Sequence, residues 1–456
     1  MVLLLAGVFV SNVYRAATQS VTADEAYAYQ FLLHGSPSNM LTNFDACHHV
    51  FHTYLTFLTT RLFGLNDFTL RIPSLLGGLL YLIAVYRLSR RMYFLPLPWL
   101  VLNPLILDYL SISRGYGMAL AFFLLGLDLL LENRVTASGI LLGLSVAANL
   151  TALFPVAALW ILASAYFLYK RGFRDGIQTS VERLWGPGFV LAFALTAIPF
   201  SHATKKHFYV GAKTLPQAVE SLTYDTLYYK VPAVVPADWF PLYHPSVGRF
   251  ARAVPWLLAG VIVLGSFLAR RHESVFFFGL PVVTVLLLWV ANRWFGVLFP
   301  HQRTGLYLYP LFGFAVCWCI VAAWRGLWKI PAAALGLMLA AQTVIFASQF
   351  ETESYKEHPY DASAQRVVRE LIRVHKGQKI RVGSTGAMAS AIDYYRLRYK
   401  LNWLEPLDRK GLEGKYDYYY YQAEGENEHL ATTRGLSVLY FDPRSKAVLA
   451  APEKSR

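Results

Sequence analysis

Two adjacent carboxylates, Asp24 and Glu25, are the first residues in the chain whose types suit chemistry. They follow the first apolar run and precede the second. An acidic pair at the edge of an apolar body suits proton transfer or the binding of a cation. A structural alternative is that Thr22 or Asp24 caps a short helix reaching Leu33, whose dipole favours the acids.

Three histidines, His48, His49 and His52, lie close together in the next polar stretch. His48 and His52 are four residues apart and would share a helix face, which leaves a metal site open. A zinc site needs further ligands at defined spacing, and none is evident. We therefore favour a hydrogen bond from His49 to a phosphate or sugar oxygen.

A second group of polar residues, Asp108, Arg114 and Tyr116, surrounds a turn between two apolar runs. Ionisable side chains at the end of a membrane span are costly unless they are paired or functional. Either Asp108 and Arg114 form a salt bridge that caps two spans, or Asp108 joins the acidic pair and Arg114 binds an anion. In the second case, Tyr116 suits stacking on a sugar ring.

Further basic side chains precede or open apolar runs. Arg71 lies at the start of the second run, and His301 and Arg303 precede a late one. Arginine matches phosphate oxygens best, although each cation could instead reach lipid headgroups. A carboxylate base combined with cations that stabilise a departing phosphate predicts transfer chemistry on a lipid phosphate.

The composition indicates a membrane protein. Of 456 residues, 55% are hydrophobic and 15% are charged, whereas soluble chains have roughly 25% charged residues. The net charge of +14 is explained by cytoplasmic loops and anionic lipid, so no nucleic-acid partner is expected. Three cysteines support neither a disulfide framework nor a zinc site.

Apolar runs of about 20 residues predict the spans. The first, 1–18, could also be a signal peptide; we expect an uncleaved span. The segment Thr53–Phe63 is short and indicates a helix lying at the interface. The remaining spans are predicted at 70–88, 93–108, 115–131, 137–151, 153–169, 185–200, 254–269, 274–291, 306–323 and 330–347, which gives about eleven.

Basic loops give the orientation of these spans. Eleven spans place the clusters that follow the even-numbered spans on one side, which the positive-inside rule makes cytoplasmic. The acidic pair, the turn after Asp108 and the loop before Arg303 then lie outside. The clusters comprise Arg87, Arg90, Arg91, Arg134, Lys170, Arg171, Arg174, Arg183, Arg270, Arg271, Arg325 and Lys329.

The segment 350–456 has the charge density of a soluble domain, which predicts a membrane domain over 1–349 and a small extracytoplasmic α/β domain after it. Ala364–Val374 has helical spacing, ended by Gly377. Strands are predicted at Lys379–Val382, Lys415–Gln422 and Ser437–Phe441. The tyrosines of 416–421 are either packed in a sheet or bind sugar.

The order of these motifs resembles the GT-C glycosyltransferases, and most closely the bacterial aminoarabinose-transferase branch that is related to protein O-mannosyltransferases. The resemblance covers about 20–320. It rests on Asp24-Glu25, on His49, and on short blocks that follow them in order. These blocks are Phe68-Thr69-Leu70-Arg71-Ile72-Pro73-Ser74-Leu75-Leu76-Gly77-Gly78, Asn103-Pro104 to Asp108, Arg114-Gly115-Tyr116 and Arg303-Thr304-Gly305-Leu306-Tyr307.

The resemblance implies a polytopic α-helical GT-C fold and an inverting enzyme of the inner membrane. Its donor would be a polyprenyl-phosphate-linked sugar, and its acceptor a glycolipid, polysaccharide or protein outside the cytoplasm. Asp24, Glu25 and Asp108 would be catalytic, and a divalent cation bound by these three is left open. The first loop has no lysine that could bind the donor phosphate. Phosphate and sugar binding then falls to His49, Arg71, Arg114, Tyr116, His301 and Arg303.

Two other functional classes fit parts of this sequence. A transporter or flippase would also use intramembrane charges and broken helices. A non-catalytic assembly or sensor protein would bind a partner through its outer domain. Clustering of acids and arginines at one membrane face favours the transferase.

Overall fold

The computed structural model describes residues 1–207, 210–229, 234–268, 272–408, 410–424, 427, 429 and 433–453. The predicted basic residues Arg270 and Arg271 lie outside these ranges. The α-helices are Val2–Thr18, Ala23–Ala28, Asn39–Thr42, Val50–Phe63, Asp67–Ser89, Leu97–Val101, Pro104–Tyr109, Tyr116–Leu131, Val135–Ala148, Leu153–Arg171, Phe173–Gln178, Gly186–Ser201, Leu215–Leu227, Phe240–Leu268, His272–Phe295, Leu308–Trp324, Lys329–Ser348, Ala364–Val374 and Gly386–Arg398.

Many of these helices have the length and apolarity of membrane spans. In the described part of the chain, six qualify, or seven if Val2–Thr18 and Ala23–Leu33, which meet at 65°, count as one bent span. Three shorter apolar helices of 10–17 residues lie among them. The chain is therefore a multi-pass membrane protein, and the predicted count of about eleven spans is not confirmed.

The predicted span at 93–108 is wrong as a single helix. Tyr93 and Phe94 have positive φ angles of 53° and 62°, which ends the preceding helix in a left-handed turn. Two short helices, Leu97–Val101 and Pro104–Tyr109, replace the span. Each of these helices begins anew with a proline in its first turn. The second is also capped by the Asn103 side chain, which accepts a hydrogen bond from Ile106 N at 3.0 Å.

The chain divides into two compact units. The first unit contains Met1–Asn12, Phe44–Leu55 and Pro73–Phe350, and the second contains Val13–Asn43, Thr56–Ile72 and Glu351–Arg456. The predicted boundary after 349 adjoins the last junction between them. The second unit also includes Val13–Asn43 and Thr56–Ile72, which lie within the predicted membrane domain 1–349.

The second unit contains a four-stranded sheet. Its strands are β1 (Val382–Ser384), β2 (Tyr418–Gln422), β3 (Leu436–Asp442) and β4 (Ala447–Pro452), in the order β1-β2-β4-β3. β1 and β2 are parallel, and the other pairs are antiparallel. The predicted strands Lys415–Gln422 and Ser437–Phe441 are present with shifted ends, whereas the prediction Lys379–Val382 shares only Val382 with β1. Strand β4 and helix Gly386–Arg398 were not predicted. The buried rings of Tyr419, Tyr420 and Tyr421 support a packed sheet rather than sugar binding.

An ion-pair cluster in the first unit joins three helix ends. The buried carboxylate of Asp128 accepts from Arg87 and, at 3.3 Å, from Arg91. Arg91 also contacts Glu273 at 3.0 Å, and Arg87 contacts Glu132 at 2.8 Å. The ends of Asp67–Ser89 and Tyr116–Leu131 and the start of His272–Phe295 therefore lie together, as the predicted alternation of loops requires.

We expect Asp128→Asn to lower the stability of the protein by about 2–3 kcal/mol, because it removes the charge that two arginines share in a buried position. Glu132→Gln is the matched control: Glu132 is half-exposed, so its loss should cost about 0–1 kcal/mol. Thermal unfolding of both variants in detergent measures the difference. Equal melting temperatures for the two would contradict a structural role for the buried acid.

Candidate functional site

The turn between helices Pro104–Tyr109 and Tyr116–Leu131, together with the helix ends that flank it, carries three of the predicted site residues in the first unit. Asp108, Arg114 and Tyr116 are each at most 6% exposed. The backbone N–H of Arg114 donates to Ser74 Oγ at 3.3 Å, and that hydroxyl lies 2.8 Å from His52 Nε2. A buried hydrogen-bonded chain thus holds the turn from His52 through Ser74.

Asp108 accepts a hydrogen bond from the hydroxyl of Tyr229 at 2.6 Å. Asp108 is 2% exposed and therefore shielded from bulk water, so the Tyr229 hydroxyl provides the hydrogen bond that water would otherwise donate. Asp108 therefore has a fixed orientation within the first unit. The predicted alternative, in which Asp108 and Arg114 form a salt bridge that caps two spans, stays a prediction.

His49 lies against the same turn. Its ring meets the Tyr116 ring edge-on, with centroids 4.9 Å apart, and Asn149 Nδ2 lies 3.1 Å from its Nδ1. Gly115 permits this approach, since a Cβ there would lie 2.0 Å from the Ala148 oxygen and 2.9 Å from His49 Cβ. The structure thus brings the side chains of His49 and Tyr116 into contact.

The cations of this unit act on His49 as a group. Burial first, and then the positive charge of Arg114, lower the pKa of His49 well below its ordinary value, with Arg303 contributing in the same direction. His49 is therefore neutral at physiological pH. Its Nε2 atom is buried and has no hydrogen-bond partner in the described part of the chain.

Arg303 and His301 belong to a tight turn, Gln302–Gly305, ahead of helix Leu308–Trp324. The backbone N–H of His301 donates to Thr304 Oγ1 at 2.7 Å, which fixes the turn. Both side chains are half-buried. The charge of Arg303 reaches His49, whereas the assignment of His301 to a ligand stays a prediction.

An apolar pocket adjoins this polar group. Tyr116 lines it and also contacts His49, so the ring belongs to both. Leu306 and Tyr307, which follow Arg303, line the pocket as well. The remaining lining residues are Ala119, Leu120, Phe123, Thr151, Ala152 and Pro155. A neutral donor and two cations beside an apolar surface suit a ligand with an anionic head and a hydrocarbon tail.

Glu25 and Arg71 form a buried ion pair in the second unit. Arg71 Nε and Nη2 donate to the two Glu25 oxygens at 2.9 and 2.8 Å, and both side chains are 0% exposed. The other Arg71 donors reach the carbonyl oxygens of Ala16, Gln19 and Ser20. The five guanidinium N–H groups are thereby used, which argues for a structural role in place of the predicted phosphate binding by Arg71 and catalysis by Glu25.

Asp24 lies in the first turn of helix Ala23–Ala28, where the helix dipole favours its charge. Thr22 caps this helix through a reciprocal pair of hydrogen bonds with Glu25, so the capping alternative holds for Thr22 and Glu25. The Asp24 side chain remains 31% exposed, and its carboxylate lies 3.8 Å from His358 Nε2. Asp24 is therefore the accessible member of the acidic pair.

His358 lies between two carboxylates of the second unit. Its Nδ1 is 3.5 Å from Asp361, which also accepts a hydrogen bond from Ala23 N at 2.5 Å. Burial lowers the pKa of His358, but the hydrogen bond with Asp361 and the charge of Asp24 outweigh it, so the net pKa is raised. The imidazolium favours ionised Asp24, as a general base requires.

The residues left open as cation ligands do not fit a metal site. Glu25 engages both of its oxygens with Arg71, and Asp108 receives the Tyr229 hydroxyl. Within the ranges that the structure describes, no group of three or more histidine, cysteine, aspartate or glutamate side chains is arranged to hold an ion. The donor set of Asp24, Glu25 and Asp108 therefore does not support a bound divalent cation.

Three contributors were not predicted as site residues. Asn149 and Thr151 are polar residues between the apolar stretches of 137–169, so the sequence alone could have marked Asn149 as a candidate. Tyr229 lies in the sequence Tyr228-Tyr229, and nothing in that sequence distinguishes it from the other aromatic residues nearby. His358, far along the chain from Asp24, carries no sequence signal, because only folding brings it to the first helix of its unit.

Comparison with known proteins supports the fold. The crystal structure of ArnT from Cupriavidus metallidurans bound to undecaprenyl phosphate matches with a TM-score of 0.51 and 11% identity, over 100% of this chain and 98% of that one. Its apo form matches with a TM-score of 0.39, 10% identity and the same coverage. The Archaeoglobus fulgidus oligosaccharyltransferase in complex with Zn and sulfate matches with a TM-score of 0.47 and 14% identity, over 98% and 73%.

No family model and no curated protein sequence matches the chain. The two lower TM-scores do not by themselves establish a shared fold. The match to ArnT with bound undecaprenyl phosphate covers nearly the whole of both chains and shows that the fold is shared. The predicted likeness is therefore confirmed for the fold alone.

Glu25→Gln should destabilise the protein by about 3–5 kcal/mol, because it leaves the Arg71 guanidinium buried without a countercharge. Glu424→Gln is the matched control, since Glu424 pairs with Lys446 at 2.7 Å on a half-exposed surface and should cost at most about 1 kcal/mol. Thermal unfolding in detergent measures both. A Glu25 variant as stable as the control would return Glu25 to the list of catalytic candidates.

His358→Gln should cost more stability at acidic than at alkaline pH. The folded pKa of His358 is raised above its unfolded value of about 6.5, so its contribution is complete below about pH 6.5 and is lost as pH rises through the folded pKa. Denaturation of wild type and variant across this range measures the difference. A cost independent of pH would show that only the shape of the ring matters.

Proposed function

We propose that the chain is an inverting glycosyltransferase of the cytoplasmic membrane that moves a sugar from a polyprenyl-phosphate-linked donor to an acceptor hydroxyl on the extracytoplasmic side. One observation carries the proposal. On a fold shared with ArnT, a buried neutral histidine with a free donor atom lies within the field of two guanidiniums and against an apolar pocket. The ArnT crystal contains undecaprenyl phosphate, which has an anionic head on a hydrocarbon chain.

The donor phosphate is assigned to Arg114, Arg303 and His49. The two arginines supply charge, and His49 supplies a directed N–H that needs no third charge in an apolar surrounding. The first part of the prenyl chain is assigned to the apolar side chains beside Tyr116. In this assignment, the phosphate is held by side chains of the first unit alone.

The reaction proceeds by attack of the acceptor oxygen on the anomeric carbon while the bond from that carbon to the phosphate oxygen breaks. Negative charge grows on the leaving phosphate, where the guanidiniums and His49 stabilise it. The acceptor proton passes to Asp24, whose ionised form His358 favours. Asp108, with Tyr229, orients sugar hydroxyls.

We expect Asp24→Asn to lower the rate of transfer by about 10²- to 10⁴-fold, because the amide cannot accept the acceptor proton. The assay uses protein in liposomes with a radiolabelled polyprenyl-phosphate sugar and follows label in the acceptor fraction. Asp175→Asn, an exposed acid on helix Phe173–Gln178, is the control. Near-normal transfer by the Asp24 variant would remove Asp24 from the role of base.

The same liposomes separate the enzyme from the alternative classes. A transporter or flippase moves label across the membrane without forming a new covalent product. An assembly or sensor protein does neither. Covalent product that depends on the intact chain supports the transferase, and label movement without product overturns it in favour of transport.

A further inference from the structure

Asn149 has an assignable orientation because of Thr151. Its Oδ1 accepts from the Thr151 backbone N–H at 2.9 Å and from the Thr151 hydroxyl at 2.8 Å. A flipped amide would direct its NH₂ group at the backbone N–H of Thr151, so that two donors would face each other. The oxygen therefore faces Thr151, and the Nδ2 group faces His49.

This orientation determines which nitrogen of His49 carries the proton. Asn149 Nδ2 is only a donor, and it lies 3.1 Å from His49 Nδ1. Nδ1 must then be the unprotonated acceptor, and the proton of the neutral ring resides on Nε2. Protonation of Nδ1 would oppose the Asn149 N–H, so the imidazolium is disfavoured by geometry as well as by burial.

The surroundings of His49 act in the same direction. The charged and titratable groups that influence it are Arg114, Arg303, His48 and His52, each of which disfavours a positive ring. The His49 residue is 6% exposed, and its Nε2 has no hydrogen-bond partner in the ranges that the structure describes. A buried N–H without an acceptor is costly, and an arriving anionic oxygen would recover that cost.

We propose that Asn149 is a positioning residue that holds His49 as the neutral Nε2–H tautomer, so that the ring presents a fixed hydrogen-bond donor to an anionic oxygen of a lipid-linked phosphate. The inference rests on the proposed function for the identity of the ligand. It adds a residue that does not itself touch the ligand. Thr151 contributes to this positioning, because its hydrogen bonds orient the Asn149 amide.

The first test reads the tautomer directly and needs no ligand. Protein labelled with ¹⁵N-histidine is measured by solid-state NMR in lipid, and His49 is assigned by its loss in His49→Gln. We expect a neutral ring protonated at Nε2 between about pH 6 and about pH 9. In Asn149→Asp, the carboxylate keeps the Thr151 contacts but accepts from Nδ1–H, so the proton should move to Nδ1 at high pH. A wild-type ring protonated at Nδ1 would overturn the proposal.

The second test measures binding of undecaprenyl phosphate to protein in nanodiscs, with undecaprenol as the control for the apolar tail. Asn149→Asp should weaken phosphate binding about tenfold or more near pH 9, where Nε2 presents a lone pair to the anion. The loss should be smaller near pH 6, where the imidazolium restores the Nε2–H. Undecaprenol binding should not change.

A double-mutant cycle separates positioning from structure. Glutamine at position 49 carries an amide N–H near the place of Nε2, and its donor does not depend on a ring tautomer. His49→Gln should bind the phosphate several-fold more weakly than wild type, and adding Asn149→Asp should cost much less than it does beside His49. Repulsion between the new carboxylate and the phosphate is common to both backgrounds and cancels. Equal losses in both backgrounds, and at both pH values, would reduce Asn149 to a structural role.

Failure of this inference and failure of the proposed function give different results. If wild-type protein binds neither undecaprenyl phosphate nor its sugar-linked form, the proposed function fails and the ligand assigned to Nε2 fails with it. If the phosphate binds and transfer occurs but the cycle shows no coupling, the function stands and the role of Asn149 is refuted. Thermal unfolding of each variant confirms that the loss of binding is not a loss of fold.

Discussion

The buried pair of Arg71 and Glu25 is the constraint on which the arrangement of the second unit depends. A guanidinium removed from water must have its charge and its five donors satisfied within the protein. Glu25 supplies the countercharge, and the carbonyl oxygens of Ala16, Gln19 and Ser20 supply the remaining acceptors. The backbone after the first helix therefore surrounds the Arg71 side chain. Glu25 then lies in the first turn of the next helix, and Asp24 is left as the accessible acid.

The same principle distinguishes structural from functional polar groups elsewhere. Asp128 is buried and paired with two arginines, so its hydrogen bonds hold helix ends together. His49 is equally buried, yet one of its two nitrogens is satisfied by Asn149 and the other has no partner among the described residues. Since an unmade buried hydrogen bond is costly, the Nε2 atom of His49 would gain from an acceptor, which is the role given to the phosphate in the proposed function.

The class of the protein and most helices could be predicted from the sequence because hydrophobic length and charge are local properties. Helix Ala364–Val374 was predicted to the residue, since its apolar positions repeat at helical spacing. The span at 93–108 failed because hydropathy does not register Asn103 and Pro104 as a helix start inside an apolar run. Strand β4 was missed because its alanine-rich sequence, Ala447–Pro452, has no alternation of apolar and polar residues. The residue types of the site were also predictable, but their partners were not, since Arg71 and Glu25 are 46 residues apart and His49 and Asn149 are 100 apart.

For the proposed phosphate ligand, a neutral histidine beside Arg114 and Arg303 is less costly to bury than a third cation would be. In the proposed reaction, negative charge grows on the leaving phosphate, and interactions that strengthen as this charge develops raise the rate more than uniform attraction does. A third buried charge would add a large desolvation cost in the free protein. A neutral N–H has a smaller desolvation cost, and its hydrogen bond also strengthens as the acceptor oxygen becomes more negative. In the proposed reaction, the position of one proton, set by Asn149, therefore determines whether His49 attracts or repels the leaving phosphate.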